Sequence, residues 1–190
     1  MVQPIVAYGH NILRKPCREV LNYNYNLEVL IDNLWHSLKK SGGVGLAAPQ
    51  INEKMNVFIV NSKLMYEQLS NEERNKIFSG DKGIEESFIN AKIIEKSDQK
   101  WGDYEGCLSL PGIAENVDRS WDITVEYLDK KFNPKIVQYS GYSAKAIQHE
   151  HDHTKGILFI DHLSALSKRL LGNKLKQIIN GKVKVDYPIQ

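Results

Sequence analysis

The sequence predicts an α+β fold, with mixed or antiparallel strands packed around a central helix and a further helix near the C-terminus. Three observations predict it. Residues 27–38 place apolar side chains at spacings of three and four, the stripe of an amphipathic helix. Residues 121–128 alternate strictly, with Trp121, Ile123, Val125 and Tyr127 on one side, the pattern of a half-buried strand. Residues 143–154 contain neither Gly nor Pro and read as a second helix.

Taken in chain order, the first helix carries Leu27, Leu30, Ile31, Leu34, Trp35 and Leu38 and stops at Ser41-Gly42-Gly43, a helix-ending signal. The short apolar run 57–60 is predicted as a strand. Residues 62–81 are polar and read as an irregular surface excursion. Residues 88–95 alternate and are rich in isoleucine, so a strand is predicted there. After the strand at 121–128, Phe132-Asn133-Pro134 makes a turn and residues 135–139 its hairpin return. Ser143 is the expected N-cap of the following helix, and Gly156 ends it. Residues 165–179 form a last amphipathic helix, closed by Asn180-Gly181.

The chain has 190 residues, 42% apolar and 25% charged, ordinary values for a globular protein with one core. Residues 1–190 are therefore read as a single domain, with about 165–190 as a C-terminal helix and basic tail. Net charge is +2, from 25 basic and 23 acidic side chains. That excludes a bulk drive toward nucleic acid or anionic membrane. No apolar run is long enough to span a bilayer. Residues 1–16 lack the apolar core and cleavage site of a secretory signal, so the cytoplasm is the expected compartment. A disulfide between the two cysteines, Cys17 and Cys107, is not expected in a reducing compartment.

Residues 149–153 read His-Glu-His-Asp-His. His149 and His153 are four apart, so a helix puts both imidazoles on one face, one turn apart. Two such nitrogens suit a divalent metal, which makes this the predicted metal-binding helix. Glu150, beside the first ligand, can reach a metal-activated water without ligating. His151 points away and reads as a partly exposed histidine. Asp152 reads either as a solvated carboxylate or as an anchor that fixes a ligand or an arginine.

A catalytic site needs a third protein ligand. Downstream stand Asp161 and His162. Upstream, Glu105-Gly106-Cys107-Leu108-Ser109-Leu110-Pro111 offers a thiolate, although taken alone Cys107 reads as a small buried hydrophobe. Gly43-Val44-Gly45-Leu46-Ala47-Ala48-Pro49-Gln50 ends in an amide that can donate to an oxyanion. Taken alone, this segment reads as a helix-ending turn.

Together, residues 43–50, 105–111 and 148–153 resemble, in order and character, the three motifs of the peptide deformylase family. The likeness runs from the first helix to Ser164. It implies an enzyme that removes the formyl group from N-terminal formylmethionine of new polypeptides. It implies Cys107, His149 and His153 as ligands, Glu150 as acid/base and Gln50 as oxyanion donor. The implied metal is Fe²⁺, with Zn²⁺, Ni²⁺ or Co²⁺ as substitutes. Val44 and Leu108 match the pocket for the methionine side chain, and the backbone around Gly45 and Gly106 matches the groups that pair with the peptide. The expected mechanism is attack by metal-bound hydroxide, with the oxyanion held by the metal, Gln50 and the Leu108 N–H. His151, Thr154, the stretch Gly112-Ile113-Ala114 and the turn Ser140-Gly141-Tyr142 depart from common family patterns. Formylated N-termini are the expected partners, and the basic C-terminal helix is a candidate ribosome contact. No membrane and no specific nucleic-acid site are expected.

Two other readings compete. One is a zinc endopeptidase using His149, His153 and Asp161 or His162. The other is an inactive metal-binding module docked through its basic helix, for which Glu150 and Gln50 would have no purpose.

Overall fold

The computed structural model describes residues 1–78 and 81–190. Helix α1 spans Tyr25–Ser41. The Asn24 side chain accepts from the Leu27 N–H at its start, and Gly42 closes it with φ of 68°, a left-handed conformation that glycine adopts without a Cβ penalty. The predicted stripe faces inward: Leu27, Leu30, Ile31, Leu34 and Leu38 are buried.

The strands that follow are β1 (Gly45–Ala47), β2 (Val57–Asn61), β3 (Glu85–Lys96), β4 (Lys100–Gly106), β5 (Ala114–Ser120), β6 (Asp122–Leu128) and β7 (Pro134–Ser140). Among the described residues, five of them form an antiparallel sheet in the order β1-β2-β3-β6-β7, and β4 pairs with β5 in a separate ribbon. Helix α4 spans Gly141–Thr154. The main sheet lies between α1 and α4. Val57 and Ile59 join the α1 core, while Phe58 and Val60 pack with Ala144 and Ile147 of α4. A strand covered on both faces reads as an unbroken apolar run, which is why 57–60 shows no alternation. Burying a side chain such as Phe58 completely stabilises the fold by about 1.5–3 kcal/mol.

The observed architecture matches the predicted α+β class, and the named strand pairs are all antiparallel. Several elements differ from expectation. The stretch 62–81 is not irregular: it carries α2 (Lys63–Gln68) and α3 (Asn71–Ile77). Ser70 and Glu73 form a reciprocal capping box at the start of α3, a signal hidden by the absence of an apolar stripe. Ser79 and Gly80 of that stretch lie outside the described residues. Ser143 is not the N-cap of α4; the helix begins at Gly141, and Ser143 turns inward to bond the Ser62 hydroxyl at 2.9 Å. The ribbon of β4 and β5 was not predicted, because its inward positions are held largely by polar side chains such as Glu105 and Arg119, which show no hydrophobic alternation. The last helix is divided into α5 (Ala165–Leu170) and α6 (Gly172–Ile179), with the break at Leu171, next to Gly172, whose missing side chain weakens helix propagation.

Candidate metal centre

The site forms where α4 passes between the β1 edge and the loop after β4. The i, i+4 spacing brings His149 and His153 together edge to face, with ring centroids 5.0 Å apart. The loop from Gly106 brings in Cys107, whose Sγ lies 3.3 Å from His153 Nε2. One donor atom each from Cys107, His149 and His153 lies within 4.8 Å of the others. Four-coordinate bonds of about 2.0–2.1 Å to nitrogen and 2.3 Å to sulfur imply N···S separations of roughly 3.5 Å. The sulfur–imidazole spacing fits that value, and one soft and two borderline donors suit a divalent transition metal. Asp161 and His162 are not part of this cluster. Asp161 pairs with Arg14, and His162 Nε2 bonds Asp152 at 2.7 Å. That removes the endopeptidase ligand set.

Around the donors lies a buried polar frame. His149 Nδ1 donates to Glu105 Oε2 at 2.9 Å, which fixes the tautomer and leaves Nε2 to face the cluster. Glu105 in turn accepts two bonds from Arg119, at 2.9 and 3.0 Å, and lies 3.3 Å from Lys145 Nζ. Burial alone would raise the Glu105 pKa, but hydrogen bonds from His149 and Arg119 hold it well below the usual carboxylate range. Arg119 reaches on to Asp152. Burial opposes ionisation of Asp152 too, yet His162 and Arg119 pull it down to about 2. Of the two readings left open for Asp152, the structure has the anchor that fixes an arginine. Burial holds His153 well below its ordinary value, so the ring stays neutral and offers a lone pair. His151 is half-buried and outside the cluster, and burial pushes it down to about 4.

Glu150 lies beside the donors, 5% exposed, with Oε2 left without a hydrogen-bond partner. Burial pushes its pKa up to about 7, a value suited to taking and returning a proton near neutrality. A Cβ on Gly45 would come within 2.5 Å of Glu150 Oε1, so the glycine is what admits the carboxyl group. The Gln50 amide is oriented by its surroundings. Its Oε1 accepts from the Ala47 N–H at 2.8 Å, which turns Nε2 toward Cys107 Sγ at 3.6 Å and Ser109 Oγ at 3.3 Å. A donor is thereby aimed at the space beside the sulfur.

These groups open onto a cleft of about 470 Å³, lined by Val44, Gly45, Gln50, Gly106, Leu108 and Glu150 among others. The structure thus brings Val44, Gly45, Gln50, Gly106, Leu108 and Glu150 to the cleft beside Cys107, His149 and His153, and leaves His151, Asp161 and His162 outside the cluster. Glu105, Arg119, Lys145 and Tyr187 were not assigned roles there. Glu105 stands two residues before Cys107, a proximity that could have pointed to it. Arg119 and Tyr187 carry no local signal.

The polypeptide deformylase family profile matches residues 2–169. A peptide deformylase of Flavobacterium psychrophilum is 40% identical over 98% of this chain and 95% of its own. One from Christiangramia forsetii is 40% identical over 100% and 96%. The crystal structure of peptide deformylase from Ehrlichia chaffeensis superposes with a TM-score of 0.83 at 28% identity, covering 96% of this chain and 99% of that one.

Proposed function

Because the chain belongs to the polypeptide deformylase family and is a hydrolase that removes a formyl group, we propose that it deformylates N-terminal formylmethionine of nascent polypeptides through the site built on α4. The observation that supports this reading is the convergence of Cys107, His149 and His153 beside the Glu150 carboxyl and the Gln50 amide. Cys107, His149 and His153 would hold the metal, which we infer to be Fe²⁺, with Zn²⁺, Ni²⁺ or Co²⁺ able to substitute. When bound, a divalent cation supplies Lewis acidity, polarising the formyl carbonyl and acidifying a water.

The chain's own residues do the rest. Glu150 takes a proton from the attacking water and delivers it to the departing amine, so that formate and a free N-terminus result. Gln50 Nε2 and the Leu108 backbone N–H donate to the oxygen as it gains charge. Val44 and Leu108 line the space for the methionine side chain. β1 is an edge strand, so an extended peptide can pair with the backbone at Gly45, with Gly106 on the other flank. We take residues 1–190 as one catalytic unit working in the cytoplasm. Among the described residues, no helix is long and apolar enough to cross a membrane. Lys168 and Arg169 on α5 with Lys174 and Lys176 on α6 give a basic surface that would face the ribosome.

The test is formate release from a formyl-Met-Ala peptide by metal-loaded protein, beside Glu150→Ala. The variant should keep its metal and lose about 10²–10⁴ in turnover. Near-normal turnover would refute the acid–base role.

A further inference from the structure

The end of the chain returns to the cleft. Ile189 bridges Ile5 in parallel, and the Ile5 and Ala7 N–H groups donate to the Pro188 and Gln190 carbonyls at 2.8 and 2.7 Å. The same extended segment alternates direction. Its Val6 and Tyr8 N–H groups donate to the carbonyls of Gln50 and Ser109, each at 2.8 Å. One strand of backbone therefore ties the C-terminal tail to both loops that carry the Gln50 amide and Cys107. From that tail, the Tyr187 hydroxyl donates to the Leu108 carbonyl at 2.9 Å, and Val185 and Tyr187 line the cleft itself. The tail residues themselves, 185–190, lie beyond residue 169, where the family profile stops.

We propose that Tyr187 is a positioning residue for deformylation, clamping the 107–110 turn so that the Leu108 N–H meets the oxyanion, and that Val185 and Tyr187 form the wall met by substrate residues after the methionine. The inference rests on the deformylase reading of this cleft. Its physical basis is the double hold on the turn. The Leu110 N–H bonds the Cys107 carbonyl at 2.9 Å within the turn, while Tyr8 grips Ser109 and Tyr187 grips Leu108. Removing one hold leaves the turn formed but free to tilt, which matters most when the oxyanion develops.

The experiment compares wild type, Tyr187→Phe and a chain lacking residues 185–190, all metal-loaded, on formyl-Met-Ala and formyl-Met-Ala-Ser-Ala. Tyr187→Phe should lower kcat about fivefold, the worth of one hydrogen bond, with KM for formyl-Met-Ala within about twofold and a thermal midpoint lowered by no more than about 4 °C. The shortened chain should lose about tenfold or more in kcat and lose any preference for the longer peptide. It should also show faster hydrogen exchange at Leu110. If the shortened chain does not fold, Tyr187→Phe decides. A wild-type kcat in Tyr187→Phe, or a fall in thermal midpoint without a fall in kcat, overturns the proposal while an active wild type leaves the deformylase reading standing. A wild type that releases no formate overturns both.

Discussion

Replacing Glu105 with glutamine should weaken the fold and the metal site together. Everything the carboxylate touches is a donor. Arg119 Nε at 2.9 Å and Lys145 Nζ at 3.3 Å meet Oε1; Arg119 Nη2 at 3.0 Å and His149 Nδ1 at 2.9 Å meet Oε2. Glutamine keeps the shape but must turn an NH₂ group toward one of those donor pairs. Facing Oε1's partners, it opposes Arg119 and Lys145. Facing Oε2's partners, it opposes His149, whose ring can relieve the clash only by moving its proton to Nε2 and surrendering the lone pair a cation needs. Removing one partner of a buried ion pair costs about 3–5 kcal/mol. Arg119 keeps Asp152, so the lower end, about 3 kcal/mol, applies. For a domain of this size that is a fall of about 6–12 °C in Tm, with metal affinity down about 10–100-fold. The Glu105 pKa is lowered in the fold, so its stabilisation is complete above an unfolded value of about 4.3 and is lost as pH falls below it. The acid limb of the stability curve should therefore be flatter in the variant. Thermal unfolding of metal-free and metal-loaded protein, with a competitive chelator titration, measures all three. A midpoint within about 2 °C of wild type and an unchanged metal affinity would refute the argument that this carboxylate organises the site.

Gly45→Ala would place a methyl 2.5 Å from Glu150 Oε1 and 2.6 Å from its Cγ, so the carboxyl group must move. Metal content should be retained while kcat falls about tenfold or more; an unchanged kcat would show that Glu150 tolerates the displacement. Burial pushes the Cys17 thiol up to about 11 from 9.0. The fold thus favours the neutral thiol, fully below pH 9 and less as pH climbs toward 11. At pH 8, peptide mapping after an iodoacetamide pulse should find Cys17 alkylated about a hundredfold more slowly than a free cysteine, and equal rates would contradict the burial.

Local spacing was enough to see α1, the strands β2, β3, β6 and β7, and α4, because each carries its periodicity within a dozen residues. It was also enough to see that His149 and His153 share a helix face. The β4–β5 ribbon escaped because buried charges such as Glu105 and Arg119 stand where an apolar alternation would show, and α3 escaped because a capping box without a stripe is a faint signal. The three segments that meet at the cluster could be grouped from sequence only by their resemblance to a family, since Cys107 and Gln50 alone read as an ordinary thiol and an ordinary turn.

What the chain's order of residues determined by itself is whatever a single turn of backbone decides: a pair of imidazoles on one face of α4, a carboxylate next to them, a glycine-ended α1. What the tertiary structure alone decided is which distant groups those side chains meet. Glu105 reaches His149 across 44 residues, Arg119 reaches Asp152 across 33, and Tyr187 reaches Leu108 across 79. Such contacts leave no periodic trace, because the partner of a buried charge or hydroxyl is chosen by how the packed layers bring strands, helix and tail together.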